Sequence, residues 1–276
     1  MNNALSSTAE YTSPNKVVIV LGAATPGNMG QGIARRFAQE GSTVLVAGRH
    51  KTPLAELASE LGGAFYECDI TCKDQIDSMV QFAMETFGRV DVGINCTGWG
   101  LLAPFESTTE EQLQQMMDLQ FKGPFQFMQA LVKVMKTGGS IIMISTATAT
   151  IMFEQHSAYM GTKAGIDHVV RTVANEYGVK GIRANSISPG ITNSPMAAKL
   201  VAEPDVLKAF LSGYPLGRIG TIEDVAAAAV WLSSDHCFMT GENLQVNGGL
   251  TLRRNPTFAE MGPGFDRAAM RLRGLT

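Results

Sequence analysis

The sequence has little of what would mark several classes of protein. Only four cysteines, Cys68, Cys72, Cys96 and Cys237, occur in 276 residues. That is too sparse for a disulfide framework. Cys68 and Cys72 invite comparison with a metal-binding pair, but no second Cys or His pair accompanies them and the four histidines are scattered. No metal site is therefore expected, and the cysteines read as reduced thiols of a cytoplasmic protein. Charge of one sign does not accumulate: the formal net charge is −3 with no long run of either sign, which argues against a nucleic-acid surface. No apolar run approaches the length of a membrane span. Residues 1–15 are polar and lack the apolar core of a signal peptide, so a flexible N-terminal segment is expected there. Repeats, low-complexity stretches and linkers are also missing.

What is present suits one large α/β domain. Hydrophobic residues make up 45% of the chain, enough for a substantial core. Short runs that are apolar throughout alternate with amphipathic stretches. Strands are expected at 17–21, 43–47, 64–67, 90–94, 140–144, 182–187 and 243–246. Helices are expected at 33–39, 53–61, 73–87, 109–135, 156–177 and 222–232. Uniformly apolar strands separated by helices imply a parallel sheet covered on both faces. The predicted fold is a single-domain, doubly wound Rossmann-type α/β sheet of about seven strands, with helices on both faces. Its expected extent is 16–252, with 253–276 set apart as a C-terminal tail.

The first strand runs into a Gly-rich turn, Gly22 to Gly32, and a helix follows. Either this is an ordinary surface turn or it cradles a dinucleotide, with Gly22, Thr25, Gly27, Met29 and Gly30 at the phosphates. Glycines allow the backbone to approach a pyrophosphate, and a helix N-terminus favours its charge. At the end of strand two an acid would bind the ribose of NAD. The run there is Ala47-Gly48-Arg49-His50-Lys51, without a carboxylate. It reads either as an exposed basic turn or as a grip, by Arg49 with His50 beside it, on the 2′-phosphate of NADP(H).

Tyr159 and Lys163 stand four apart, on one face of a helix. Such a pair is either a surface contact or an acid–base device. Upstream, just past the fifth strand, lie Ser145 and Thr146, whose hydroxyls can hold a substrate oxygen. A phenol with a pKa near ~10 needs roughly three units of depression for work near neutrality, about 4 kcal/mol. One ammonium at about 4 Å in an effective dielectric of ~20 supplies about that much, so Lys163 is expected to lower the pKa of Tyr159.

Assembled, these residues resemble the short-chain dehydrogenase/reductase family over roughly residues 16–252. Asp69-Ile70 is similar to the family's adenine-contacting Asp-Val pair, and Asn95-Cys96-Thr97-Gly98 to its Asn-Asn-Ala-Gly motif. Ser145-Thr146, Tyr159 and Lys163 fall at its active-site spacing. Asn185 to Pro189-Gly190 resembles its Pro-Gly motif. The resemblance implies that Thr192 and Ser194 contact the nicotinamide amide or the phosphates, and that Ser145 borders the cofactor. Pro215 to Arg218 and Thr240 to Gly249 match its C-terminal signatures. In three places the chain departs from the pattern. Asn28 stands where glycine is common, in a turn about two residues longer than usual. Thr146 stands where Ser is usual. Gln120 stands where an Asn usually anchors a water leading to the Lys; it either takes over that relay or is bonded to the backbone in the helix.

The resemblance also implies a substrate pocket built from Trp99, Leu101, Leu102, Ile151, Met152, Phe153, Met196 and Tyr214. These apolar and aromatic side chains favour a hydrophobic ketone, though any one of them fits core packing as well. Glu154 and His156 are polar and close to Tyr159, where loop or helix-cap duty is expected. The function expected from the whole is interconversion of a hydrophobic ketone or aldehyde and its alcohol with NADP(H). The other reading is a low-turnover NADPH-binding sensor or interaction protein on the same fold. A homo-oligomer, tetramer or dimer, is expected from apolar surface on the long fourth and fifth helices. The stretch 265–272 is expected to dock on a neighbour or cover the pocket.

Overall fold

The computed structural model describes residues 15–136 and 138–272; apart from Asn15, the segment expected over 1–15 lies outside the described residues. The chain enters β1 (Val17–Leu21), α1 (Met29–Gln39), β2 (Thr43–Gly48), α2 (Lys51–Leu61), β3 (Ala64–Glu67), α3 (Lys73–Phe87) and β4 (Val92–Asn95). Then come α4 (Glu110–Met117), a π-helical turn (Asp118–Lys122), α5 (Gly123–Val134), β5 (Gly139–Ile144), α6 (Ser157–Tyr177) and β6 (Ile182–Pro189). The chain closes with α7 (Ala198–Val201), α8 (Pro204–Gly213), α9 (Ile222–Ser233), β7 (Asn243–Val246), α10 (Phe258–Met261) and α11 (Pro263–Leu272).

The strands form one seven-stranded sheet in the order β3-β2-β1-β4-β5-β6-β7. Every pairing is parallel. Alternate residues of each strand face opposite sides. Val18, Val20, Val44 and Val46 pack with Ile33 and Phe37 of α1, Leu54 of α2 and Ala226 of α9. Ile19, Leu21 and Leu45 pack with Met79 of α3, Phe127 of α5 and Ile166 of α6. This is the doubly wound Rossmann-type sheet expected. The strand order reverses between β1 and β4, and ligands of such sheets bind at the carboxyl ends flanking that point. Leu21 pairs with Ala47 on one side and Asn95 on the other, so three strand ends come level there.

Three features differ from the sequence reading. The fourth strand starts two residues later, at Val92. The long fourth helix is one helical path, but its middle widens into the π-helical turn holding Gln120. Helices α7 and α8 were not expected; α8 begins with Pro204 in its first turn, where a missing N–H is harmless, and buries Val206 and Phe210.

Residues 254–272 fold back onto the chain. Met261, Phe265 and Ala269 share one buried cluster with Ala147, Val206, Phe210, Tyr214 and Leu250. Asn255 Nδ2 donates to the Met152 carbonyl at 3.0 Å, and the Glu154 carboxylate accepts from the Phe258 N–H at 2.7 Å. Arg267 and Arg271 both pair with Glu203 at 2.8 Å. No helix among the described residues is long and apolar enough to cross a membrane.

If this segment is integral, Phe265→Ala should lower the unfolding free energy by about 3–5 kcal/mol, read as a shift of the denaturant midpoint at unchanged slope. A loss below about 1 kcal/mol would mean that 254–272 is not part of the cooperative unit.

Candidate active site

The turn after β1 is built around Gly22 and Asn28. Gly22 has φ +101°, and a Cβ there would lie 2.7 Å from the Cys96 carbonyl carbon. A Cβ on Gly30 would lie 2.5 Å from the Gly22 carbonyl oxygen, so neither position accepts a side chain without moving backbone. Asn28 caps α1: its side chain accepts from the Gln31 N–H at 2.9 Å and donates to the Gly22 carbonyl at 2.8 Å. The departure from glycine at this position thus carries a structural duty. The N–H groups of Met29 and Gly30 have no acceptor among the described residues, and no acid stands in the first turn of α1. Two free donors at a helix N-terminus fit a phosphate oxygen. Thr25 and Gly27 are exposed on the same turn.

The neighbouring strand ends are shaped by short side chains that bond their own backbone. Asp69 accepts from the Thr71 N–H and hydroxyl at 2.9 and 2.8 Å, beside the buried Ile70. Asn95 accepts from the Thr97 N–H and hydroxyl at 3.0 and 2.8 Å. Arg49 and His50 are exposed after β2. Thr192 is buried and donates to the Gly190 carbonyl at 3.1 Å, while Ser194 is half-buried. The positions expected at a cofactor therefore line the carboxyl edge of the sheet from β1 through β6.

Tyr159, Thr146 and Lys163 come together at the end of β5. The Tyr159 phenol stands near the Thr146 side chain, which favours its ionised form. Thr146 also meets the Thr148 hydroxyl at 3.0 Å. The Lys163 ammonium is buried, donates to the Ile144 carbonyl at 2.8 Å and lies 5.9 Å from the centre of the Tyr159 ring. Burial pushes Lys163 down to about 8, against the opposing pull of Asp167. The expected depression of Tyr159 is not found in the polypeptide alone. Burial pushes the phenol up to about 12, and the neighbouring Thr146 offsets this only partly. Desolvating a phenolate outweighs an ammonium whose nearest acceptor is another group. Ser145 is not brought to the substrate side: its hydroxyl donates to Asp167 at 2.6 Å, leaving Thr146 as the hydroxyl beside Tyr159.

Gln120 is fully buried in the π-helical turn, where its side chain donates to the Trp99 carbonyl at 3.2 Å. Its Oε1 has no partner among the described residues. A Cβ on Gly98 would lie 3.2 Å from that oxygen and 3.8 Å from Lys163 Nζ, so an orphaned acceptor and the ammonium face the same spot beside Gly98. Cys96 is pushed up to about 12 by burial, which keeps it a neutral thiol next to Lys163.

The expected substrate residues divide. Trp99, Met152 and Met196 are exposed. Phe153 sits in an aromatic group with His156, Phe210 and Phe258, at centroid distances of 5.8, 6.0 and 5.6 Å. Leu102 and Ile151 pack on the cluster that holds Phe210, and Leu101 is buried beside Tyr159. Tyr214 is buried in that first cluster, with its hydroxyl against the Ile191 carbonyl at 3.4 Å; it supports Gly190 from beneath.

Phe258 and Asp167 escaped the sequence, and His156 stands at the N-cap position of α6 as expected but makes no side-chain cap bond. His156 stacks on Tyr159 at 4.3 Å, and its Nδ1 meets the Leu101 carbonyl at 2.6 Å. Burial holds it down at about 4, so it is neutral at pH 7. Phe258 reaches the aromatic group from the C-terminal segment, which no local motif signals. Asp167 lies one helical turn beyond Lys163, and that i, i+4 spacing was visible.

A family model described as "Enoyl-(Acyl carrier protein) reductase" matches residues 22–251. The chain is 34% identical over 249 residues to 3beta-hydroxysteroid dehydrogenase 1 of Eggerthella lenta, spanning 86% of this chain and 94% of that protein. It is likewise 34% identical over 259 residues to the L-fucose dehydrogenase of Oryctolagus cuniculus, covering 91% of this chain and 90% of that one. The structure of a short-chain type dehydrogenase/reductase from Mycobacterium ulcerans superposes with a TM-score of 0.87 at 30% identity, covering 96% of this chain and all of that one. With its strand order, its Tyr–Lys pair and these likenesses, the chain belongs to the short-chain dehydrogenase/reductase family of nicotinamide-dependent oxidoreductases.

Proposed function

We propose that the protein is an NADPH-dependent reductase of hydrophobic ketones, with Tyr159 as the proton donor, Thr146 holding the carbonyl oxygen and Lys163 supplying the positive charge. The observation that carries this reading is the Tyr159–Thr146 hydroxyl pair beside a buried ammonium at the carboxyl edge of β5. A phenol held near 12 is protonated at neutral pH, which is the state that donates a proton to a carbonyl oxygen. A nicotinamide cofactor, which the turn after β1, Arg49 and Thr192 would hold, would supply the hydride for the carbonyl carbon. As the proton leaves Tyr159, the Lys163 charge stabilises the phenolate, and Gln120 Oε1 can hold a water that returns a proton by way of Lys163.

The choice of NADPH rests on the end of β2. Arg49 and His50 are exposed there, no carboxylate stands in the run from Ala47 to Lys51, and Arg49 has no ion-pair or hydrogen-bond partner among the described residues. A free guanidinium suits a 2′-phosphate. The hydrophobic substrate class rests on the aromatic group beside Tyr159 and on the exposed Trp99, Met152 and Met196. The relative named a hydroxysteroid dehydrogenase agrees with it, and the one named an L-fucose dehydrogenase makes sugars the natural counter-panel. Exposed Leu113, Met117 and Phe125 on α4 and α5 support a homo-oligomer.

Tyr159→Phe is expected to reduce ketone turnover at least a hundredfold with NADPH binding nearly intact. Retention of more than a tenth of the rate, a barrier change of only about 1.4 kcal/mol, would remove Tyr159 from the role. Arg49→Ala is expected to weaken NADPH about 10- to 100-fold, the loss of a charged hydrogen bond, and to leave NADH unchanged. Equal effects in steady-state kinetics with the two cofactors would overturn the 2′-phosphate assignment.

A further inference from the structure

Asp167 lies on α6, four residues past Lys163 and eight past Tyr159, and faces the sheet. Its carboxylate takes three hydrogen bonds from three strands or strand ends. Ser145, just past β5, donates to Oδ2 at 2.6 Å. Ser186 of β6 donates to Oδ1 at 2.6 Å. Asn243 of β7 donates to Oδ2 at 2.7 Å. None of these partners is cationic. A partly buried carboxylate that turns from solvent to three neutral donors needs a reason.

We propose that Asp167 is a positioning residue for the proton-transfer pair: its carboxylate, fixed by Ser145, Ser186 and Asn243, is the counter-charge that keeps the buried Lys163 protonated. The proposal rests on reading Tyr159 and Lys163 as that pair. The ionisable groups facing the cluster are Tyr159 and Lys163 from α6 and the neutral thiol Cys96 from the end of β4. The strands contribute only hydroxyls and an amide. Lys163 donates to a neutral carbonyl, Ile144, and so has no carboxylate of its own in contact. Burial lowers its affinity for a proton, and Asp167 is the largest influence acting the other way. Burial raises the Asp167 carboxyl above its usual range, and the three donors together with the Lys163 charge pull it back toward the ionised form. The result is a charge balance across one turn of α6.

Removing the Asp167 charge has one sign on both neighbours. Asp167 raises the pKa of Lys163 and of Tyr159, so an uncharged replacement lowers both. Ketone reduction needs both groups protonated, and its upper pH limb should move to lower pH. A carboxylate that merely staples α6 to the sheet would slow the reaction at every pH without moving the limb.

The experiment is the pH profile of kcat/KM for NADPH-dependent ketone reduction by the full chain and by Asp167→Asn, Asp167→Ser and Asp167→Glu. Melting curves and NADPH binding confirm folding; two uncharged variants are paired so that one folded protein suffices. The expected result is a limb about one pH unit or more lower in Asp167→Asn and Asp167→Ser, and near the wild-type position in Asp167→Glu whatever its rate. An unmoved limb in a folded uncharged variant would overturn the proposal. So would an equal shift in Asp167→Glu, which keeps the charge. Wild-type protein at pH 7 should also show no infrared band of a protonated carboxyl that vanishes in a replacement, and such a band would overturn it too. Loss of the underlying reading looks different: the wild type itself would then show no reduction, or reduction independent of Tyr159.

Discussion

One constraint organises the active edge of this protein: the Lys163 ammonium is taken out of water. A charge so placed must find acceptors or lose its proton. The Ile144 carbonyl at 2.8 Å is its nearest acceptor, and that contact ties α6 to the carboxyl end of β5. Tyr159, one turn earlier on the same helix face, is thereby set beside Thr146 at the same strand end. Asp167, one turn later, reaches β6 and β7 through Ser186 and Asn243. Two turns of helix thus register against three adjacent strands. The geometry on which the proposed proton transfer depends follows from that registration.

The energetics favour the phenol over the phenolate. Burial raises Tyr159 to about 12 and lowers Lys163 to about 8, and both shifts reflect the same desolvation. Between them lies a wide range of pH in which Tyr159 keeps its proton. In the proposed reaction this makes Tyr159 an acid whose conjugate base is paid for by a neighbouring charge only as it forms, which is how a preorganised site lowers a barrier. The neutral, stacked His156 adds bulk and an apolar face without adding charge.

Much of the fold was legible because its signals are local. Val17–Leu21 and Gly139–Ile144 are apolar runs of strand length that end at their expected places. The Gly22 turn and the Tyr159–Lys163 spacing carry their meaning within a few residues. What was illegible depended on the third dimension. Helix α8 buries only one face, and its partners Met261 and Phe265 lie some fifty residues on. Phe258 reaches Phe153 across about a hundred positions. Gln120 was readable as a departure, but not that its Oε1 would have no partner among the described residues in a π-helical turn. The electrostatics of the site are not encoded locally. Spacing placed an ammonium near a phenol, whereas the sign of the phenol's shift is set by how much water is excluded, and that is a property of the packed site.

The central claim is that a buried, charged Lys163 supports proton donation by Tyr159. It is tested most directly by the pH dependence of kcat/KM for ketone reduction in the unmodified protein, measured from pH 6 to pH 10 with NADPH saturating. With Lys163 near 8 and Tyr159 near 12, the account predicts a plateau at lower pH and a tenfold fall per unit above about pH 8, as the ammonium loses its proton. A profile that stays level to pH 10 would contradict it, because turnover would then be indifferent to the charge on Lys163.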